Sequence, residues 1–311
     1  MIVTVTMNPA VDKTIFLDGL HRGTLNRMKR VVMDAGGKGI NVSKTIAALG
    51  GNSIATGFLG GNNGRFIEKT LKHAGIRTDF VHMDAETRTN YKIMEEDGTL
   101  TELNESGTEI SAQKFSELSQ KLCDYAEENT LFVLSGSVPP GISPDAYGRL
   151  IRRLKKQGAC VFLDADGEMF CRGMAEHPDF IKPNRREALQ YYGLSEETEN
   201  QELIRYAGKF LKSGTDFAAV SLGSKGAAFL TTEGEYFAEA LPVKAVSTVG
   251  AGDAMVAALC MGYEMKLPLR EQMIFAMAVS AGAVETEGTK PPTMKRVREL
   301  TKQVVLNKCQ P

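Results

Sequence analysis

Hydrophobic and polar positions change rhythm along this chain, and the rhythm predicts its elements. Ile2-Val3-Thr4-Val5-Thr6-Met7 is a β-type run and reads as a first strand. Asn8-Pro9-Ala10-Val11-Asp12 then reads as a turn, which leaves Asp12 just past the strand end. Helical spacing over Asn41–Leu49 is stopped by Gly50-Gly51. A strand over Ser53–Leu59 and a helix over Gly64–His73 follow. Thr89–Met94 and Thr99–Leu103 flank Asp97-Gly98 and predict a hairpin, because Asp-Gly readily takes up the positive-φ turn that joins two strands.

From residue 112 onward, helical and β-type runs alternate. Helices are predicted over Ala112–Glu128, Pro144–Gln157 and Gln201–Ser213, and strands over Leu131–Ser135, Cys160–Asp164, Phe180–Lys182 and Phe217–Ser221. Such alternation predicts an α/β fold with a central, mainly parallel sheet flanked by helices. Ala227–Thr231 and Glu235–Ala238 predict a ribbon at its edge. No linker rich in Pro, Gly or Ser divides the chain. The expected organisation is one domain over residues 1–311, with a small β-sheet lid formed by segments near 13–33 and 87–104.

In sheets of this kind, ligands gather beyond the carboxyl ends of the strands. Asp12, Ser135-Gly136-Ser137, Asp164, Lys182-Pro183-Asn184 and Ser221-Leu222-Gly223 all fall at predicted strand ends. They predict one polar rim, against the competing explanation that loops are polar anyway.

Composition narrows the field. Hydrophobic residues make up 42% and charged residues 24%, the balance of a globular chain with a sizeable core. A formal net charge of -1 gives no reason to expect nucleic acid or an anionic membrane as partner. Cys123, Cys160, Cys171, Cys260 and Cys309 are odd in number, widely spaced and without a CxxC pair. They are expected to be reduced thiols of a cytoplasmic protein. Met1–Thr6 lacks the basic and continuous apolar regions of a signal peptide, and no apolar run has the length of a bilayer span. His21, His73, His82 and His177 show no metal-ligand spacing.

Thr248-Val249-Gly250-Ala251-Gly252-Asp253 opens the helix-like run that starts at Ala254. Small residues at a helix entrance leave backbone N–H groups unobstructed at the positive end of the dipole, a cradle for a phosphate or a developing oxyanion. An aspartate there repels an anion, unless Asp253 acts as a base toward a hydroxyl beside the phosphate. The competing reading is a tight turn with Asp253 as a capping residue.

Ala35-Gly36-Gly37-Lys38-Gly39-Ile40-Asn41 is a second glycine-rich helix entrance, where backbone could approach sugar hydroxyls; alternatively it is a flexible entrance with a solvated lysine. Arg88, Asn90 and Lys92 share one face of a strand and, with Arg27, Lys29 and Arg30, could meet a substrate phosphate or form a solvated face. Asn184 and Glu187 could point together at Mg²⁺ through water, or could cap a helix. Ser221-Leu222-Gly223-Ser224-Lys225-Gly226 suits nucleotide phosphates or an ordinary hairpin turn. None of these runs spells a Walker P-loop. Gly250-Ala251-Gly252 lacks the third glycine of a dinucleotide-binding fingerprint and lies near the C-terminus, which disfavours an NAD dehydrogenase.

Taken in order, Asn8-Pro9-Ala10-Val11-Asp12, Gly36–Asn41, Ser135–Gly141, Lys182–Glu187 and Gly250–Asp253 resemble the motifs of the ribokinase-like (PfkB) carbohydrate kinases. The likeness covers nearly the whole chain. The resemblance implies a ribokinase-like sheet with a β lid, ATP and Mg²⁺ as cofactors with a monovalent cation as a further candidate, and a phosphorylated ketohexose as partner. It also implies a homodimer through the lid, in which one lid supplies a cation to the neighbour's site. Thr87–Ile93 and Thr101–Glu105 are most similar to members that phosphorylate fructose 1-phosphate at its 6-hydroxyl. Kinases of tagatose 6-phosphate and fructose 6-phosphate share the other motifs. A sugar-phosphate sensor of the same fold would need no base, and an intact Asp253 argues against one.

By the same resemblance, Asp253 is the catalytic base, and Gly250, Ala251 and Gly252 form the anion hole. Asp12, Gly36, Gly37, Lys38 and Asn41 would hold the sugar together with Arg88, Asn90 and Ser137, while Arg27 and Lys92 would meet its phosphate. Lys182, Ser221, Gly223, Lys225 and Gly226 would lie along ATP, as would Ser247, Val249, Gly250, Gly252 and Asn184. Asn184 and Glu187 would organise Mg²⁺. Ala254 stands where the family commonly has serine, a conservative change that leaves the chemistry intact.

Overall fold

The computed structural model describes residues 1–309; the last two positions of the expected 1–311 domain lie outside the described residues. The chain begins with β1 (Ile2–Thr6), β2 (Ala10–Leu17), β3 (Arg30–Gly36), α1 (Lys38–Ala48), β4 (Ile54–Gly60) and α2 (Gly61–His73). Short β5 (Arg77–Thr78) and β6 (Val81–Met83) precede β7 (Thr89–Glu95) and β8 (Leu100–Asn104). The alternating part runs α3 (Ala112–Tyr125), β9 (Leu131–Ser135), α4 (Ala146–Lys155), β10 (Cys160–Asp164), α5 (Gly167–Met174) and β11 (Phe180–Ile181). After α6 (Arg185–Tyr192), α7 (Asn200–Ala207) and α8 (Lys209–Lys212) come β12 (Phe217–Ser221), β13 (Ala227–Thr231) and β14 (Gly234–Ala238). The described chain closes with α9 (Ala251–Glu264), α10 (Leu269–Val284), α11 (Met294–Thr301) and β15 (Leu306–Lys308).

The main sheet has the order β15-β14-β13-β12-β11-β10-β9-β1-β4-β5, with β6 also paired to β4. Strands β12, β11, β10, β9, β1, β4 and β5 run parallel, and β13, β14 and β15 continue the sheet antiparallel. Side chains of a strand point alternately to the two faces, and here both faces are buried. Phe132 and Leu134 enter one cluster with Val161 and Leu163; Leu131 and Val133 enter the other with Phe162. A strand buried on both faces reads as a continuous apolar run, which is why Leu131–Leu134 carries no polar alternation. The fold class expected from the βα rhythm is the one observed.

A second sheet, in the order β3-β2-β7-β8, stands apart from the first. The hairpin predicted around Asp97-Gly98 is its β7–β8 pair. One expectation is corrected here. Asp12 does not follow a strand end within a turn; it is the third residue of β2. Val11, Thr14 and Ile15 are β-branched and favour the extended chain straight after Pro9. Asp12 therefore reaches inward from the small sheet, opposite Asp34 of β3. The helix expected over Gln201–Ser213 is interrupted at Gly208, giving α7 and α8. No helix among the described residues is long and apolar enough to cross a membrane.

Candidate active site

The N-terminus of α9 opens toward a cleft of about 540 Å³ whose other wall is the small sheet. Asp12 and Lys92 line one side, and Ser247, Thr248, Val249 and Thr289 the other. That volume is within the range of about 300–1,000 Å³ typical of small-molecule sites. Gly250 precedes α9 at φ 81°, a left-handed conformation that glycine adopts without strain. No side chain caps this helix. Its first N–H groups have no intrahelical acceptor, although Ala251 N–H reaches the Thr248 carbonyl at 3.4 Å. In the loop before it, Val249 N–H donates to Ser247 Oγ at 3.2 Å.

Asp253 lies in the first turn of α9, buried, and its Oδ2 accepts a hydrogen bond of 2.8 Å from Asn41 Nδ2 on α1. The capping explanation for this aspartate is thereby excluded. Burial, and then the neighbouring Asp164 carboxylate, push Asp253 up to about 6, against the pull of Lys38, Asn41 and Lys182. A carboxylate so tuned is both a better base than an exposed one and still ionised at neutral pH.

Behind it stands a buried charge cluster. Asp164, fully buried at the end of β10, lies 3.4 Å from Lys38 Nζ and 3.5 Å from Lys182 Nζ. Burial would raise the Asp164 carboxyl, but Lys182 and Lys38 hold it below its ordinary value. Burial likewise works against the Lys38 ammonium, which Asp164, Glu187, Asp253 and Asp166 nonetheless keep raised. Lys182 lies close over the N-terminus of α9, where Gly252 has no Cβ; a Cβ there would sit 3.2 Å from Lys182 Nζ. The lysine of the Gly36–Asn41 run is thus an internal cation, its side chain only 31% exposed.

On the small sheet, Asn90 Nδ2 donates to Asp12 Oδ1 at 3.1 Å, and Lys92 Nζ to Oδ2 at 2.8 Å. Asp12 approaches the Gly36 backbone so closely that a Cβ on Gly36 would lie 2.7 Å from its carboxylate. Gly37, at φ 122°, turns the chain past Thr6 into α1. A neighbouring cavity of about 240 Å³ is lined by Thr6, Asn8, Gly37, Lys38, Arg88, Ser135, Gly136, Ser137 and Asp166. Arg88 is anchored there: its Nε and Nη2 donate to the Asn8 carbonyl at 3.2 and 2.9 Å, and Nη1 to the Glu105 carbonyl at 2.7 Å. Both acceptors are neutral, so the guanidinium charge is left uncompensated by any hydrogen-bonded carboxylate.

Of the eight buried polar side-chain atoms without a hydrogen-bond partner among the described residues, five belong to residues of this region. Thr6 Oγ1, Asn41 Oδ1, Asn90 Oδ1, Ser135 Oγ and Asp164 Oδ2 are buried without a hydrogen-bond partner. A buried polar atom without a partner costs about 1–3 kcal/mol, and five of them around one cleft suit a hydroxyl-rich ligand.

Asn184 and Glu187 form a capping box: Asn184 Oδ1 accepts from Glu187 N–H at 2.9 Å, and Glu187 Oε2 accepts from Asn184 N–H at 2.8 Å. Of the two readings left open by the sequence, the structure has the capping arrangement, and it leaves Glu187 Oε1 outside the box. Asn184 is bridged to Ser221 of β12, which brings those two strand ends together. Gly223 and Lys225 form a 3-10 turn beyond Ser221. Gly226 has a packing reason of its own, since a Cβ there would fall 2.0 Å from the Ala238 carbonyl.

Arg27 is not brought to the site of its own chain. It lies on the exposed loop between β2 and β3, outside the lining of both cavities. Thr6 and Asp166 were not singled out in the sequence; for Thr6 the available signal was a polar residue at the end of a first strand.

Residues 5–296 match the pfkB family of carbohydrate kinases. The chain is 34% identical to the 1-phosphofructokinase of Escherichia coli strain K12 over 283 residues, 91% of this chain and 90% of that one. It is 33% identical to the 1-phosphofructokinase of Bacillus subtilis strain 168, over 98% of each chain. Phosphofructokinase-2 from Escherichia coli in complex with potassium superposes with a TM-score of 0.92 at 28% identity, over 97% of this chain and 98% of that one. The same enzyme in complex with fructose-6-phosphate gives a TM-score of 0.90.

Proposed function

This chain belongs to the pfkB family of carbohydrate kinases, and from that premise we propose that it transfers the γ-phosphoryl group of ATP to the 6-hydroxyl of D-fructose 1-phosphate. The observation that carries the reading is Asp253, buried in the first turn of α9 beside an uncapped helix N-terminus and held by Asn41. In this reading Asp253 takes the proton of the attacking hydroxyl as the O–P bond forms, and ADP leaves. N–H groups at Gly250, Ala251 and Gly252 take up the charge on the transferring group, with Lys182 above them. Asp12, Asn41 and the Gly36-Gly37 backbone hold the sugar, with Asn90 and Lys92 fixing Asp12. Arg88, Ser137 and Lys38 line the cavity offered to the substrate phosphate. The nucleotide would run along Ser221, Gly223, Lys225 and Gly226, past Asn184, toward Ser247 and Val249.

Mg²⁺ fits the donors present. Asp164 Oδ2 is buried without a partner and Glu187 Oε1 lies outside the capping box, while Mg²⁺ characteristically takes one or two carboxylates and keeps its remaining positions for water and phosphate. When bound it would neutralise charge on the nucleotide phosphates, with Asp164, Glu187 and, through water, Asn184 as its holders.

The test is ADP release by the purified protein with Mg-ATP and, in parallel, fructose 1-phosphate, fructose 6-phosphate, tagatose 6-phosphate and fructose. A kcat/KM at least about tenfold higher for fructose 1-phosphate is expected, about 1.4 kcal/mol of discrimination. Arg88→Ala should raise the KM for the phosphosugar far more than that for ATP. Preference for a 6-phosphate overturns the substrate assignment, and an unchanged sugar KM removes Arg88 from the site.

A homodimer through the small sheet belongs to the same proposal. Val31, Met33 and Leu103 lie on the sheet face turned away from the cleft and are 45%, 43% and 55% exposed. Pairing with a second copy would cover them and could carry Arg27 to the neighbour's site. Sedimentation velocity should give a dimer for the native chain and a monomer for Met33→Glu combined with Leu103→Glu. A native monomer sinks this part.

A further inference from the structure

Lys44 occupies a place in this site that the phosphoryl-transfer roles leave unused. It lies three residues after Asn41 on α1, so the two side chains share a helix face. Asn41 holds Asp253; Lys44 Nζ donates to Ala35 O and to Thr289 Oγ1, each at 3.2 Å. Ala35 immediately precedes the Gly36-Gly37 turn of the sugar cradle. Thr289 packs on Gly250, where a Cβ would fall 3.3 Å from Thr289 Cγ2. One ammonium thus ties the wall that holds the sugar to the wall that holds the transferring group.

Hydrogen bonding alone would not call for a charge there, because both acceptors are neutral oxygens. An ammonium is costly to desolvate, and burial does draw Lys44 below its ordinary value. Asp34, Asp12 and Asp253 act against that, Lys92 with it. Asp12 and Asp34 belong to the lid strands β2 and β3, and Asp253 to α9. The charge is therefore shared between carboxylates on both sides of the cleft, and no single one neutralises it through a hydrogen bond.

We propose that Lys44 is a positioning residue that sets the distance between the sugar cradle at Ala35–Gly37 and the anion hole at Gly250–Gly252. The inference rests on the kinase reading of Asp253 and the α9 N-terminus. It acts without touching substrate: α1 indexes the reacting groups at two points, Asn41 for the base and Lys44 for the two backbones. A displacement of about 1 Å between reacting groups costs on the order of 10²-fold in rate.

The experiment compares wild type, Lys44→Met, Lys44→Gln and Lys44→Arg on whichever ketohexose phosphate the wild type turns over best. A wrong substrate assignment then shows in the wild type, and a wrong role for Lys44 in the variants. Lys44→Met should lose about 10²-fold in kcat while the KM for ATP stays within about twofold. Lys44→Gln should lose nearly as much, because it keeps a hydrogen bond but not the reach or charge. Lys44→Arg should regain most of the rate. Amide hydrogen exchange of the free enzyme should quicken at 286–290 in Lys44→Met without a matching change across the main sheet. Wild-type kcat in Lys44→Met or Lys44→Gln overturns the proposal. Parallel loss of kcat, ATP affinity and Tm in all three variants overturns it as well, since that is the pattern of general loosening.

Discussion

Asp253→Asn is expected to lower kcat by about 10²–10⁴-fold, the span of general-base contributions, while nucleotide still binds. The same substitution should make the protein more stable at neutral pH. Burial and Asp164 lift the Asp253 carboxyl from 3.8 to about 6. A group whose folded value is raised contributes stability below its unfolded value and loses that contribution as pH rises through the folded one. Above pH 6 the folded chain therefore carries an ionised carboxylate at a cost of roughly 3 kcal/mol, from about 1.36 kcal/mol per unit. A neutral amide removes that cost, and its carbonyl oxygen can still accept the hydrogen bond that Asn41 Nδ2 donates at this position. Higher Tm with collapsed kcat is the signature of a site held in a destabilised state for function. Activity of the native enzyme should fall as pH drops through about 6, and a ¹³C titration of the Asp253 carboxyl in the free enzyme checks the value directly. Turnover retained in Asp253→Asn removes the base assignment.

The sequence and the structure agree most closely where local pattern and burial say the same thing. Leu131–Ser135, Cys160–Asp164, Phe217–Ser221 and Ala227–Thr231 are strands with the expected bounds, because short apolar runs between turn residues fill a sheet buried on both faces. α10 was not anticipated. Its Ala, Met and Val residues surround the helix without a clear polar face, since α9 and α11 both pack against it. β3 was only partly legible, its first residues falling in the segment near 13–33 expected to join the lid: Arg30, Val31 and Met33 are exposed, and its strand character depends on pairing with β2. In the site, the glycines, Asp253 and Asn41 were legible because each carries a local reason to be there. The meeting of Lys38 with Asp164 and Lys182, and of Lys44 with Ala35 and Thr289, was not. Lys38 meets Asp164 across 126 residues and Lys44 meets Thr289 across 245, and nothing in the local pattern announces either long-range contact.

Asp164→Leu should cost about 3–5 kcal/mol of stability, the penalty for stripping a buried ion pair of one partner. Asp164 is fully buried between two cations, so its loss leaves Lys38 and Lys182 facing each other without the carboxylate that separates them. The leucine side chain fills the space but offers neither ammonium an acceptor. Asp164→Asn is the milder form, keeping shape and hydrogen bonding while removing the charge, and should fall between the two in Tm. The acid dependence has the opposite sign to that of Asp253. Asp164 is held below its ordinary value by Lys182 and Lys38, so its contribution is present above the unfolded carboxyl value and disappears as pH falls through the lower folded one. The stability deficit of Asp164→Asn against wild type should therefore be full at pH 7 and shrink in strong acid, as denaturant midpoints along a pH series would show. Removing the Asp164 charge also withdraws one of the two influences that raise Asp253. In Asp164→Asn the acid limb of kcat/KM should accordingly move below 6 even as the rate falls. A variant as stable as wild type at pH 7 would mean that the two lysines find other counterions, and an unmoved acid limb would mean that burial alone sets the base.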